Sequence, residues 1–313
     1  MEPNVVLPLL SSTLSFVFAL FLLDQWVERR HPHQLIWMFG MLWFAISAGS
    51  EFLGGAFGWS EPLYRTWYLF GAVYVAAWLG LGTMFLLGRT RFGYAAASSI
   101  LLAGLFTVLS QAKQHYADTG ILPYAAFAVA LVGAALIVVE TYRGAGRWAR
   151  IAGALVIGGS ALAAPIVLLA PIAAPGYALD AAGIPVGALM PGSVRLLTPL
   201  FNVTGGFALV LGAVYSIVVA VRARRLDSRV PATILIALGG FVPSMTSGLT
   251  RFGITETFYV GELLGVLFLF AGFLVSIEVF REIRVPFTHR VLYVRRAVAS
   301  QVLDPALGQL GPR

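Results

Sequence analysis

No cysteine occurs in the 313 residues, which removes disulfides, thiolate metal sites, iron–sulfur ligation and thiol nucleophiles together. Lysine is nearly missing as well. Lys113 is the single one and falls between apolar runs, so a Schiff-base lysine in a core helix, as a retinal would need, is excluded. The four histidines, His31, His33, His115 and His289, lie outside the long apolar runs, where they cannot face one another at bundle depth as haem or zinc ligands. His31 and His33, on either side of Pro32, read as an interfacial loop rather than a metal site. No GxSxG, HExxH, GxxxxGK[ST] or dinucleotide-binding glycine pattern is present, so no cofactor is expected and enzyme readings are left with carboxylates and arginines.

Charge is scarce. Charged residues make up 11% of the chain and hydrophobic ones 59%, against about 25% and roughly 45–50% in soluble domains. With a mean hydropathy of +0.86, the chain reads as an all-α, polytopic integral membrane bundle with no room for a sizeable soluble domain. The net charge of +7 is spread between apolar runs instead of forming one patch, which argues against nucleic acid and for the anionic inner leaflet of the membrane as its partner.

A span needs about 20 apolar residues. Runs of that kind predict nine helices at about Val5–Trp26, Leu35–Phe57, Leu63–Leu87, Tyr94–Leu109, Ile121–Thr141, Ile151–Leu169, Leu196–Val221, Ala232–Thr250 and Phe258–Phe280. They form one domain over 1–280, followed by a basic tail over 281–313. The connections after helices 1, 3, 5 and 7, together with the tail, hold all the cations except Arg65, Lys113, Arg195 and Arg251. The positive-inside rule therefore puts the amino terminus outside and the carboxyl terminus in the cytoplasm, in the cell's inner (plasma) membrane. The amino terminus has Glu2 and no basic lead-in or small-residue cleavage site, so helix 1 is expected to stay as an anchor. In the tail, Val291, Leu292, Val294, Val298 and Val302 alternate with Arg290, Arg295 and Arg296, a spacing that suits either a basic amphipathic helix or a solvated tail.

Between helices 6 and 7, residues 170–193 carry many prolines and glycines and a single charge, Asp180. Irregular backbone this apolar is expected to lie over or dip into the outer half of the bundle, as a re-entrant lid or a plain cap. Trp43 and Trp78 lie deeper than the aromatic belts and read as core packing.

Charged groups inside spans are costly and mark function. Glu51 and Arg65 flank the turn at Gly58–Ser60 at similar depth, where an ion pair within the hairpin is allowed. Arg251 and Glu262 repeat the arrangement in reverse between helices 8 and 9, and Arg195 opens helix 7. The expected outer cluster is Arg65, Arg195 and Arg251 with Glu51 and Glu262, framed by Glu61, Asp180 and Glu256, with Asn202 as a polar neighbour. Three guanidinium groups with more donors than two carboxylates can use suit a phosphate, a carboxylate or a lipid headgroup. The leading expectation is a binding or transport protein for a small anionic or amphiphilic ligand. The plainer reading of the same residues is that each arginine pairs within its hairpin or snorkels to the interface. Two other classes stand beside it: a non-catalytic subunit or anchor held to other membrane subunits through small-residue faces, and an outer-leaflet lipid-modifying enzyme with Glu51 or Glu262 as base.

Overall fold

The computed structural model describes residues 3–114, 119–144, 146–172, 185–222, 229–250, 257–275, 282–284, 286–287 and 291–294. Among these, nine helices coincide with the apolar runs: α1 (Pro3–Arg29), α2 (Pro32–Phe57), α3 (Glu61–Leu86), α4 (Gly93–Gln114), α5 (Leu122–Tyr142), α6 (Trp148–Leu169), α7 (Leu197–Arg222, led by the turn Gly192–Arg195), α8 (Arg229–Thr250) and α9 (Phe258–Val275). Eight of them are long and apolar enough to cross a membrane, whereas α8 holds a shorter apolar stretch, Pro231–Pro243. The chain is a helical, membrane-embedded bundle.

Local chemistry sets the helix ends. Pro32, Pro62 and Pro123 sit in the first turns of α2, α3 and α5, where a missing N–H costs nothing. Gly58 ends α2 at φ 91°, its N–H donating to the Gly54 carbonyl, a left-handed stop that glycine adopts without strain. Arg30 ends α1 at φ 55° with its guanidinium over the Trp26 ring, 4.7 Å from the centroid. These two turns mark opposite ends of the bundle, the Gly58 end and the Arg30 end.

The helices close into two rings that share an edge. In the first, α1 packs on α2, α2 on α3, α3 on α7, α7 on α8, α8 on α9, and α9 returns to α1. In the second, α3 and α7 are joined by α4, α5 and α6. Each ring has its own apolar core. Phe18, Leu22, Trp37, Met41, Leu79, Leu209, Val266, Leu269 and Phe273 fill the first, and Leu81, Met84, Phe92, Ile137, Trp148 and Phe201 lie among the fillers of the second. The shared edge is tight because Gly205 of α7 lies on the backbone of α3 at Ala76 and Gly80, where a Cβ would overlap the Ala76 carbonyl.

Within α3 the middle turn, Tyr68–Tyr74, is π-helical between α-helical Glu61–Trp67 and Val75–Leu86. Such an insertion rotates the two halves of a helix relative to each other. Residues 173–184 of the proline-rich segment lie outside the described residues. The stretch from residue 185 to α7 is packed against α3: the Tyr64 hydroxyl donates to the Val186 carbonyl at 2.7 Å, Gly187 lies on the Tyr68 ring, and Met190 and Val194 are buried.

The described part of the tail departs from the amphipathic-helix expectation. Glu282–Arg284 and Val291–Val294 pair as antiparallel strands, in keeping with the strand preference of the run Val291, Leu292, Tyr293, Val294. The Phe287 N–H donates to Asp24 Oδ1 at 2.8 Å, tying the strand connection to α1 near the Arg30 end.

Candidate functional site

α3 divides the charged residues expected at one site into two groups. Arg65 and Trp67 are two positions apart, which on an α-helix is about 200° of rotation, so they serve opposite neighbours. Arg65 turns to α6. Its Nη1 donates to the Val167 carbonyl at 2.8 Å, its Nη2 to the Ala170 carbonyl at 2.7 Å, and its Nε and Nη2 to Glu61 Oε1 at 2.9 and 2.6 Å. The guanidinium thus closes the carboxyl end of α6, satisfying carbonyls that have no intrahelical donor. Arg195, in the turn before α7, lies within electrostatic reach of the Tyr64 hydroxyl.

Trp67 turns to α2. Its indole Nε1 donates to Glu51 Oε1 at 2.7 Å. The Glu51 side chain, 1% exposed, also lies beside the carboxyl of Glu262 from α9, close enough for the two to interact. The Glu51–Arg65 ion pair allowed by the hairpin is therefore not formed: both residues flank one turn, but the helix phase sends them apart. Glu51 instead takes a partner 211 positions along the chain. Among the described residues, Glu51 Oε2 and Glu262 Oε2 are sealed from solvent without a hydrogen-bond partner, as is Asn202 Oδ1 on α7. Asn202 lies one turn beyond Thr198, whose hydroxyl pairs with the Tyr68 hydroxyl at 3.0 Å. Arg251, with Glu256 and Asp180, lies outside the described residues.

The first ring holds further polar groups that carry no charge and so give no signal in a charge pattern. On α1 the buried stripe is Ser11, Ser15, Phe18, Leu22 and Gln25; on α2 it is Gln34, Trp37, Met41, Phe44, Ala48 and Glu51. Both run at alternating steps of three and four, the spacing of one helix face. Both are polar at each end and apolar in the middle. The hydroxyls of Ser11 and Ser15, Gln25 Oε1 and both amide atoms of Gln34 are buried without a partner among the described residues. The three-and-four spacing of these serines and glutamines is the one sequence signal that points to them.

Aromatic side chains fill the seam between α2 and the π-turn. Trp43 stacks on Phe70 with centroids 4.8 Å apart and meets Trp78 edge-on at 5.9 Å, while Trp78 Nε1 and the Tyr74 hydroxyl donate to Ser160 of α6. Trp43 and Trp78 are partly buried against the core of the second ring, with Trp43 Nε1 sealed and unpartnered among the described residues. No group of three or more metal-ligating side chains gathers among the described residues.

Comparisons with protein-family models, with curated proteins and with solved structures find no match to this chain.

Proposed function

We propose that this chain is an integral membrane binding or transport protein that takes a small, amphiphilic or anionic ligand into the first helix ring from the Gly58 end. The observation that carries this reading is the set of sealed, unpartnered oxygens of Glu51, Glu262 and Asn202 near that end. Unmet acceptors cost roughly 1–3 kcal/mol each in a folded interior, and ionisable groups inside a bundle mark ligand and ion pathways. The three oxygens call for a ligand whose polar end donates hydrogen bonds, with its apolar part against the ring. An anionic group on the ligand would not be held by Arg65, whose donors are engaged by Glu61 and α6.

The proposal includes nine spans, the Gly58 end outside, the tail in the cytoplasm, and the cell's inner membrane as its location, as the arginine distribution predicts. Equilibrium binding of lipids and small metabolites to the purified chain tests it. Retention by the parent protein and loss in Asn202→Leu and Glu262→Gln support the reading; equal retention in both variants contradicts it.

A second reading has one observation in its favour. Gly158 on α6 and Gly206 on α7 face open space, where a Cβ would meet nothing within 4 Å. Small residues exposed in this way admit close approach by a helix of another subunit. Co-purification of a defined polypeptide, lost in Gly206→Leu, would favour a subunit of a larger complex.

A further inference from the structure

The axis of the first ring changes character along its length, and three helices agree on where. Phe18 of α1 stacks on Phe270 of α9 at 4.8 Å and meets Phe273 at 5.1 Å. α1 and α9 both begin at the Gly58 end, so this register sets Ser11 at the depth of Glu262, seven and eight residues up their helices from Phe18 and Phe270. α2 runs the other way. Ser12 Oγ donates to the Ala45 carbonyl at 2.8 Å, and Glu51 lies between that level and the Gly58 end. Ser11 and Ser15 are fully buried on the helix that packs against both α2 and α9. The unpartnered hydroxyl of Ser11 therefore lies in the same polar layer as the two carboxyls, with that of Ser15 one turn deeper, at the border with Met41 and Val266.

Beneath that layer comes an apolar one. Phe18, Leu22, Met41, Val266, Leu269 and Phe273 are each at most 1% exposed, and Trp37 closes against Phe273 at 4.6 Å with its indole N–H held by the Leu79 carbonyl. Beyond it, toward the Arg30 end, lie the buried amides of Gln25 and Gln34 with unmet hydrogen-bonding capacity. Gln34 and Glu51 are 17 residues apart on one helix, about 25 Å of axis at roughly 1.5 Å per residue.

From this layering we propose that the Glu51–Glu262 pair is a proton-exchange site, reached from the Gly58 end through the polar layer and shut off from the Arg30 end by the apolar layer. The inference rests on the binding or transport reading and deepens it by naming the coupling ion. Two carboxyl groups sealed side by side hold a proton between them, since two adjacent buried carboxylates repel. In the exchange step the O–H bond of the protonated carboxyl breaks, the electron pair stays on its oxygen, and the proton passes to a water molecule on the Gly58 side. Uptake reverses each change, so no oxidant or further reactant takes part. Among the described residues, the groups facing Glu51 are Glu262 from α9 and the non-titrating Trp67 indole from α3. The nearest charged groups on α3, Glu61 and Arg65, pair with each other and with α6, and α1 carries no charge between Pro3 and Asp24.

The test is infrared difference spectroscopy of the full chain inserted in one orientation in sealed lipid vesicles, with the proton itself as probe. A protonated-carboxyl band that shifts in D2O and titrates in two steps is expected of a coupled pair. Glu51→Gln and Glu262→Gln, which keep shape and an acceptor for Trp67, each leave a single step. A pH jump on the Gly58 side moves the band, and the same jump on the Arg30 side does not. A band that neither exchanges nor titrates, one that survives unchanged in both variants, or one that answers from the Arg30 side overturns the proposal. The two readings fail separately. A bound small molecule lost in Glu262→Gln without carboxyl exchange overturns the proton site and leaves binding standing. Two-step exchange in a chain that binds nothing supports the proton site and removes the binding reading.

Discussion

Arg65 and Trp67 stand two residues apart on one helix, and that spacing decides which of them meets Glu51. The short turn around Gly58 places Glu51 and Arg65 at the same depth, and depth was legible in the sequence; azimuth was not, because it depends on which helices flank α3. With α6 on the Arg65 side, the guanidinium has two backbone carbonyls to satisfy there, and Glu51 is left to the indole. Arg65→Ala should therefore lower thermal stability in detergent by about 1–3 kcal/mol, the range for leaving buried acceptors unmet, with Arg65→Lys recovering part of it and ligand retention unchanged. The ion pair to Glu61 adds little to that figure, since Glu61 is 55% exposed. Trp67→Phe should cost a similar amount by removing the indole donor to Glu51. Glu51→Gln should cost less than Glu51→Ala, because the amide oxygen still accepts from Trp67; thermal melts of the three variants check the order.

At the scale of elements, the apolar runs coincide with helices among the described residues, eight of them long and apolar enough to cross a membrane, because a helix in lipid must satisfy all its own backbone groups and has few places to stop. The π-turn at Tyr68–Tyr74 left no mark in the apolar pattern, since YLFGAVY reads as an ordinary buried stretch. Which small residues matter was equally hidden. Gly205 and Gly206 are neighbours in sequence, yet the first lies on the α3 backbone and the second faces open space. Gly205→Ala should destabilise by about 1–3 kcal/mol or block assembly, as overpacking does, whereas Gly206→Ala should stay within about 0.5 kcal/mol. Yield and thermal melts of the two alanine variants read this directly. The partly strand-forming tail shows the same lesson from the other side: the interleaved valines and arginines fit two periodicities, and the pairing of Ile283 with Tyr293 selects one.

For the whole molecule, the class of protein and the run of charges along it were readable from composition, while the two-ring arrangement was not, because α1–α9 and α3–α7 contacts join segments far apart in sequence. That closure brings Glu51 to Glu262 and gives the first ring a polar layer, an apolar layer and a second polar layer in order along its axis. Since the chain has no cysteine of its own, sidedness can be read from single introduced thiols. Ser60→Cys should react with an impermeant maleimide on intact cells, and Thr90→Cys only after the membrane is opened. The measurement closest to the central claim is native mass spectrometry of the chain released from gentle detergent, with bound small molecules identified. The account predicts a stoichiometric ligand on the parent protein and on Arg65→Lys that is missing from Asn202→Leu and Glu262→Gln. A chain that carries no small molecule and arrives only with other polypeptides would contradict it.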